Sequence, residues 1–182
     1  MFTVSITELD LLIPLQSFLM QVTGLPIDNV LDGQQNLTPM PKSDFIVMTP
    51  LSQVGMSTNR VAYDDNGVFG EGKQINGRST QWTCQIDSYG PSAAQNAAML
   101  GTLFRSDYSC EWFRANGNIL SPLYCSEPRQ TSMINGEQQY EDRWTVDLIA
   151  QYNPTVTTPR DFMDNIKVGL IPADLFYPTE NG

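Results

Sequence analysis

The chain has 182 residues, 41% of them hydrophobic and only 16% charged, with a net charge of −10 and a pI near 4.2. That is enough apolar material for one globular domain with a core, and so acidic a chain lacks the clustered Lys and Arg that grip nucleic acid. It has no histidine, three cysteines without a CxxC pair and no membrane-length apolar run, which argues against His-based catalysis, zinc sites, disulfide frameworks and membrane spans.

Sparse charge suggests that partner subunits cover part of the surface. A neutral surface rich in Asn, Gln, Ser and Thr explains it equally well. The N-terminus lacks the basic start and small-residue cleavage site of a signal peptide, so the expected site of synthesis is the cytoplasm.

The chain opens with a helical pattern. Ser5 and Glu8 have capping-box spacing, and Leu9, Leu12, Leu15, Leu19 and Val22 recur at helical intervals. Gly24 and Pro26 stop the pattern, and Pro14 predicts a kink or a later helix start. Residues 25–41 read as a linker with a short apolar piece at 29–31. Residues 43–49 read as a buried strand, and 56–63 as its continuation or pairing partner. Residues 64–77 (DDNGVFGEGKQING) are polar and Gly-rich, which predicts a mobile hairpin loop.

The next segment is the most informative. Trp82, Cys84, Ile86 and Ser88 alternate with Gln81, Thr83, Gln85 and Asp87, the period of a half-buried strand. Gly90 and Pro91 break it, Pro91 suiting the first position of a helix. Ala93, Ala97, Leu100 and Phe104 then share one helical face. The small residues Ala93, Ala94, Ala97, Ala98 and Gly101 allow close packing on the sheet or on a partner helix.

Residues 108–113 read as a short helix, and 115–120 as a turn around Asn116-Gly117. Residues 123–133 read as a strand that Pro122 and Pro128 confine to an edge. Asn135-Gly136 is a hairpin signal. In the last clear strand Tyr140, Trp144, Val146, Leu148, Ala150 and Tyr152 face one way, with Glu141, Arg143, Thr145, Asp147 and Gln151 on the other face. Trp144 is therefore expected to be a buried core aromatic.

The expected fold is α+β: an antiparallel or mixed sheet with helices packed on one face, plus an extended loop and a C-terminal arm. Residues 1–152 form the expected domain. Residues 153–182 form the arm, which is broken by four prolines. Its apolar residues Phe162, Ile166, Val168, Leu170, Ile171, Leu175, Phe176 and Tyr177 cannot build a core alone, which makes them the candidate oligomer interface.

Catalytic and metal chemistry find little support. Asp64, Asp65 and Glu71 share a Gly-rich loop but lack the calcium-loop spacing. Lys73 follows glycines without the Ser or Thr of a phosphate loop. Glu141 and Asp142 adjoin on a strand and point to opposite faces. No catalytic residue, metal or cofactor is expected. Asp64, Asp65, Phe69, Glu71 and Lys73 are instead the candidate loop for lining a channel or contacting a neighbour.

Three stretches resemble the phage neck or tail terminator family: QVTGLPIDNVLDGQQNLTPMP, WTCQIDSYGPSAAQNAAMLGTLF and EDRWTVDLIAQYN. The resemblance implies an α+β subunit that assembles, usually as a hexameric ring, around the DNA channel. It implies a virion protein that caps the tail tube and joins it to head-completion or connector proteins, with the tail sheath as a further possible neighbour. Assembly would take place in the host cytoplasm, and genomic DNA would pass without specific binding. Six copies would carry about −60 charges, which repel DNA phosphate. Another head- or tail-completion or baseplate protein of the same general fold is the alternative, and a soluble enzyme the remotest reading.

Overall fold

The computed structural model describes residues 2–34, 40–68, 70–131, 133–134 and 140–162. The chain runs β1 (Thr3–Val4), α1 (Glu8–Thr23), β2 (Val30–Asp32), β3 (Phe45–Gly55), β4 (Arg60–Asp64), β5 (Lys73–Gly77) and β6 (Thr80–Tyr89). It continues through α2 (Ala93–Leu103), α3 (Asp107–Ala115), β7 (Ser121–Cys125), β8 (Arg129–Gln130), β9 (Met133–Ile134), β10 (Tyr140–Glu141), β11 (Arg143–Tyr152) and β12 (Thr155–Pro159). This is the α+β class read from the sequence.

The larger sheet has the order β2-β3-β6-β11-β7, with β8 pairing β11 beyond β7. Only β2 and β3 are parallel. The spine is the antiparallel pair β6–β11, in continuous register from Tyr152↔Thr80 to Arg143↔Tyr89. Trp82, Cys84 and Ile86 of β6 and Val146, Leu148 and Ala150 of β11 are buried on one face. Helices α1, α2 and α3 pack on this sheet. Phe18 of α1 joins them, with ring centroids 5.0 Å from Phe113, 5.3 Å from Trp112 and 6.0 Å from Phe104. Each such side chain contributes about 1.5–3 kcal/mol on burial.

α1 begins two residues later than its expected cap. Its capping box is Thr7 with Asp10, not Ser5 with Glu8: Asp10 Oδ2 accepts from Thr7 N at 2.7 Å. The Ser5 hydroxyl instead accepts from Thr155 N at 2.9 Å, tying the N-terminus to β12. The helix continues through Pro14. Proline removes only the amide that would reach Asp10, while Leu11, Leu12, Leu15, Phe18 and Leu19 bury the opposite face. Gly24 closes the helix at φ 72°, the left-handed cap that glycine supplies at least cost.

α2 also starts late. Pro91 lies in a turn, and the helix opens at Ala93 after Ser92. Asp44 decides this, because its Oδ1 accepts from Ser92 N at 3.0 Å and so places a carboxylate at the helix N-terminus. Gly90 has φ 95° and no room for a Cβ against Asp44. The expected face is then buried: Ala93, Ala97, Leu100 and Phe104.

β7 and β8 lie at the sheet edge, as Pro122 and Pro128 predict. β9 and β10 pair as the hairpin anticipated from Asn135-Gly136, two residues that lie outside the described ones. β3 itself runs on to Gly55 past a register shift at Pro50–Ser52. Trp144 departs from expectation. It is only half-buried, and Trp82 is the tryptophan enclosed in the core.

Candidate assembly surfaces

A second, smaller sheet was not read from the sequence. Its order is β1-β12-β5-β4, all antiparallel. The polar segment 64–77 is therefore only partly a loop. Lys73–Gly77 is β5, paired with β4 so that Asp64 stands opposite Lys73. Residues 155–159 of the expected arm are β12, paired with β5. The missed signal was Thr155-Val156-Thr157-Thr158, a β-branched run.

The small sheet joins the large one at a single end. Links 55–60, 77–80 and 152–155 all lie there, and the β4–β5 loop lies at the other. Every residue of β4 is exposed. Val4, Val61 and Val156 occupy one row across the strands, through the pairs Val4↔Val156, Val156↔Asn76 and Val61↔Asn76. Tyr63 shares that face. These four side chains are 59%, 48%, 39% and 57% exposed.

The loop itself is braced by its polar side chains. Asp65 Oδ1 accepts from Gly67 N at 3.0 Å, and Asn66 Nδ2 donates to Glu71 Oε2 at 2.7 Å. Val68 N bonds Asn66 Oδ1 at 3.1 Å. Asp65 and Glu71 thus shape the turn instead of converging on a ligand, and the mobile loop expected from composition is a hydrogen-bonded one here. Phe69 lies outside the described residues. So do Ile166, Val168, Leu170, Ile171, Leu175, Phe176 and Tyr177. Among the described residues no group of His, Cys, Asp and Glu is arranged to hold a metal ion.

Phe162, the last described residue, sits on this sheet. Its ring meets Tyr63 edge-on at 6.0 Å between centroids. The Arg160 guanidinium lies over the Tyr63 ring, 5.2 Å from its centroid. Arg160 N donates to Gly72 O at 2.8 Å. Gly72 is needed for this clasp, because a Cβ there would run into Arg160 O and the Phe162 ring.

The face of the large sheet away from the helices carries a polar ladder that the sequence left as a plain polar side. Phe45 stacks on Tyr89 at 4.5 Å, and Arg143 lies 5.7 Å from the Tyr89 centroid. Arg143 grips Asp87 through Nε at 3.1 Å and a terminal nitrogen at 2.8 Å. Thr145 and Gln85 also donate to Asp87, which is buried rather than solvated. Asp142 lies between β10 and β11 and accepts from Gln130.

The Cys84 and Cys125 thiols are poor nucleophiles. Burial pushes Cys84 far up, and it pushes Cys125 up against the opposing hydrogen bond from Arg105. Both are protonated at neutral pH. Burial likewise raises Tyr89, partly offset by Arg143, and Tyr152, partly offset by Arg78. These groups pack and bond within the fold.

The phage neck terminator protein family matches residues 10–174. The chain belongs to that family. The match spans α1, both sheets from β2 onward and part of the C-terminal arm. Comparison with curated proteins gives no match. A neck terminator is a structural protein of the virion neck and tail, associated with other phage tail and head proteins. Among the described residues of this neck terminator no helix is long and apolar enough to cross a membrane.

Proposed function

We propose that this neck terminator assembles into a ring, six copies in the arrangement its family resemblance implies, that caps the tail tube and joins it to the head connector around the DNA channel. The family match carries this reading. The small sheet supports it physically. Four strands with exposed valines and tyrosine on one face are marginal in water unless something covers them. A ring supplies that cover.

In this reading residues 1–152 form the body and 153–182 the arm, of which β12 stays on the body's own small sheet. Phe162 seats the arm on Tyr63 of its own chain, and the apolar residues from Ile166 to Tyr177 make the contacts between copies. The β4–β5 loop, with Asp64, Asp65, Phe69, Glu71 and Lys73, projects from the far end of the small sheet to the channel or to an adjacent ring. The acidic chain repels passing DNA. No cofactor takes part, and assembly takes place in the host cytoplasm, with the tail sheath as a further neighbour in a contractile tail.

Native mass spectrometry of the purified protein, with and without tail tubes, tests the reading. A closed ring of six that binds tube ends is expected. A monomer that leaves tube ends open to further polymerisation would overturn it.

A further inference from the structure

The small sheet is a platform without a core of its own, and the chain leaves from it. β12 begins beside the body, where Thr155 bonds Ser5, and ends at Pro159 opposite Lys73 near the hairpin end. The Gly72–Phe162 clasp then holds the exit point. At that point Arg160 and Phe162 lie against Tyr63 of β4.

We infer that residues 163–177 of one copy lie across the exposed β1-β12-β5-β4 sheet of the next copy. The inference rests on the ring reading and adds to it the surface that receives the arm. Two observations favour this occupant. The face offers Val4, Val61, Val156 and Tyr63, and the arm offers Ile166, Val168, Leu170 and Ile171, a match of apolar chemistry. Fifteen residues reach up to ~50 Å when extended, enough to cross to a neighbour.

The arm's carboxylates also find one cation on this face. Arg78 lines a hollow of about 590 Å³ at the body end of the same face, with Glu8, Val4, Asn76, Val156 and Tyr152. Arg78 is exposed and makes no ion pair among the described residues. Asp164 and Asp174 flank the apolar run of the arm. A carboxylate of the incoming arm thus meets an arginine with hydrogen-bonding capacity to spare.

The test is photocrosslinking in mixed assemblies. A p-benzoylphenylalanine is placed at Val61, and separately at Tyr63, in full-length protein labelled with heavy nitrogen. It is mixed with unlabelled chains, assembled and irradiated, and the crosslinked peptides are sequenced by mass spectrometry. Crosslinks from heavy Val61 or Tyr63 sites to light residues 163–177 are expected. Gly72→Ala, which dislodges Phe162 from its seat, should lower their yield at least about threefold while the helices keep their circular dichroism. Rings that form with crosslinks to other segments would overturn the arm placement and leave the ring reading standing. Crosslinks confined to one chain in a monomeric protein would overturn both.

Discussion

Replacing Arg143 by methionine should be among the most damaging single changes to the fold. Asp87 is 3% exposed and sits centrally in the large sheet, between Val47 of β3 and Thr145 of β11. Arg143 gives it two charge-assisted hydrogen bonds. Without them the carboxylate keeps Thr145 and Gln85 as donors but loses its counter-charge. Stranding one partner of a buried pair costs about 3–5 kcal/mol. The two remaining neutral donors place Arg143→Met at the lower end, about 3 kcal/mol. Removing both charges should cost far less. Asp87→Leu with Arg143→Met leaves no buried anion, so the double variant should lie within about 1.5 kcal/mol of the parent. Urea unfolding followed by tryptophan fluorescence and circular dichroism measures both variants against the parent. A loss under about 1 kcal/mol for Arg143→Met, or a double variant as weak as the single one, would refute the buried-pair assignment.

Trp82 and Trp144 should separate cleanly. Trp82→Ala should cost about 3–5 kcal/mol, and Trp144→Ala, half-buried, less than half of that in the same urea melts. Trp82→Phe should cost less than about 1.5 kcal/mol, because the Trp82 indole N–H is buried without a hydrogen-bond partner among the described residues. The Thr7 hydrogen bonds lower the Asp10 pKa below its usual 3.8. The ionised carboxylate therefore stabilises the fold above the unfolded pKa, and that stabilisation disappears as pH falls through the folded one. Thr7→Ala should cost about 1 kcal/mol at neutral pH and flatten the acid limb of the stability profile, read by thermal melts between pH 2 and 7. Shortening residues 65–72 to a two-residue turn should spare folding and ring formation. Particles built with that protein should fail in head–tail joining, and normal infectious titres would remove the loop from the joining surface.

The body was legible because its strands and helices obey single periods. Residues 80–89 and 143–152 alternate, and Ala93, Ala97, Leu100 and Phe104 recur on one face, so burial on one side was written in the order of residues. Helix starts were less legible. Both α1 and α2 begin where a distant or neighbouring carboxylate fixes an amide, and Asp44 acts on Ser92 from across the fold. The smaller sheet was hidden for a different reason. Its strands alternate weakly and bury little on either face, so hydrophobic period carries almost no signal there. The sequence places Asp87 only on the polar side of a strand, because its counter-ion comes from another strand, 56 positions away. Of the candidate residues, Asp65 and Glu71 prove to be bound up in their own turn, and Phe162 lands on Tyr63, a contact between segments that no local pattern encodes.

A cryo-electron microscopy map of intact virions, refined around the neck, tests the central claim most directly. The expected result is six copies of this α+β body in one ring between the end of the tail tube and the head connector, with each small sheet at a boundary between copies. Density for the fold at the baseplate or capsid surface, or a neck ring built entirely from other chains, would contradict it.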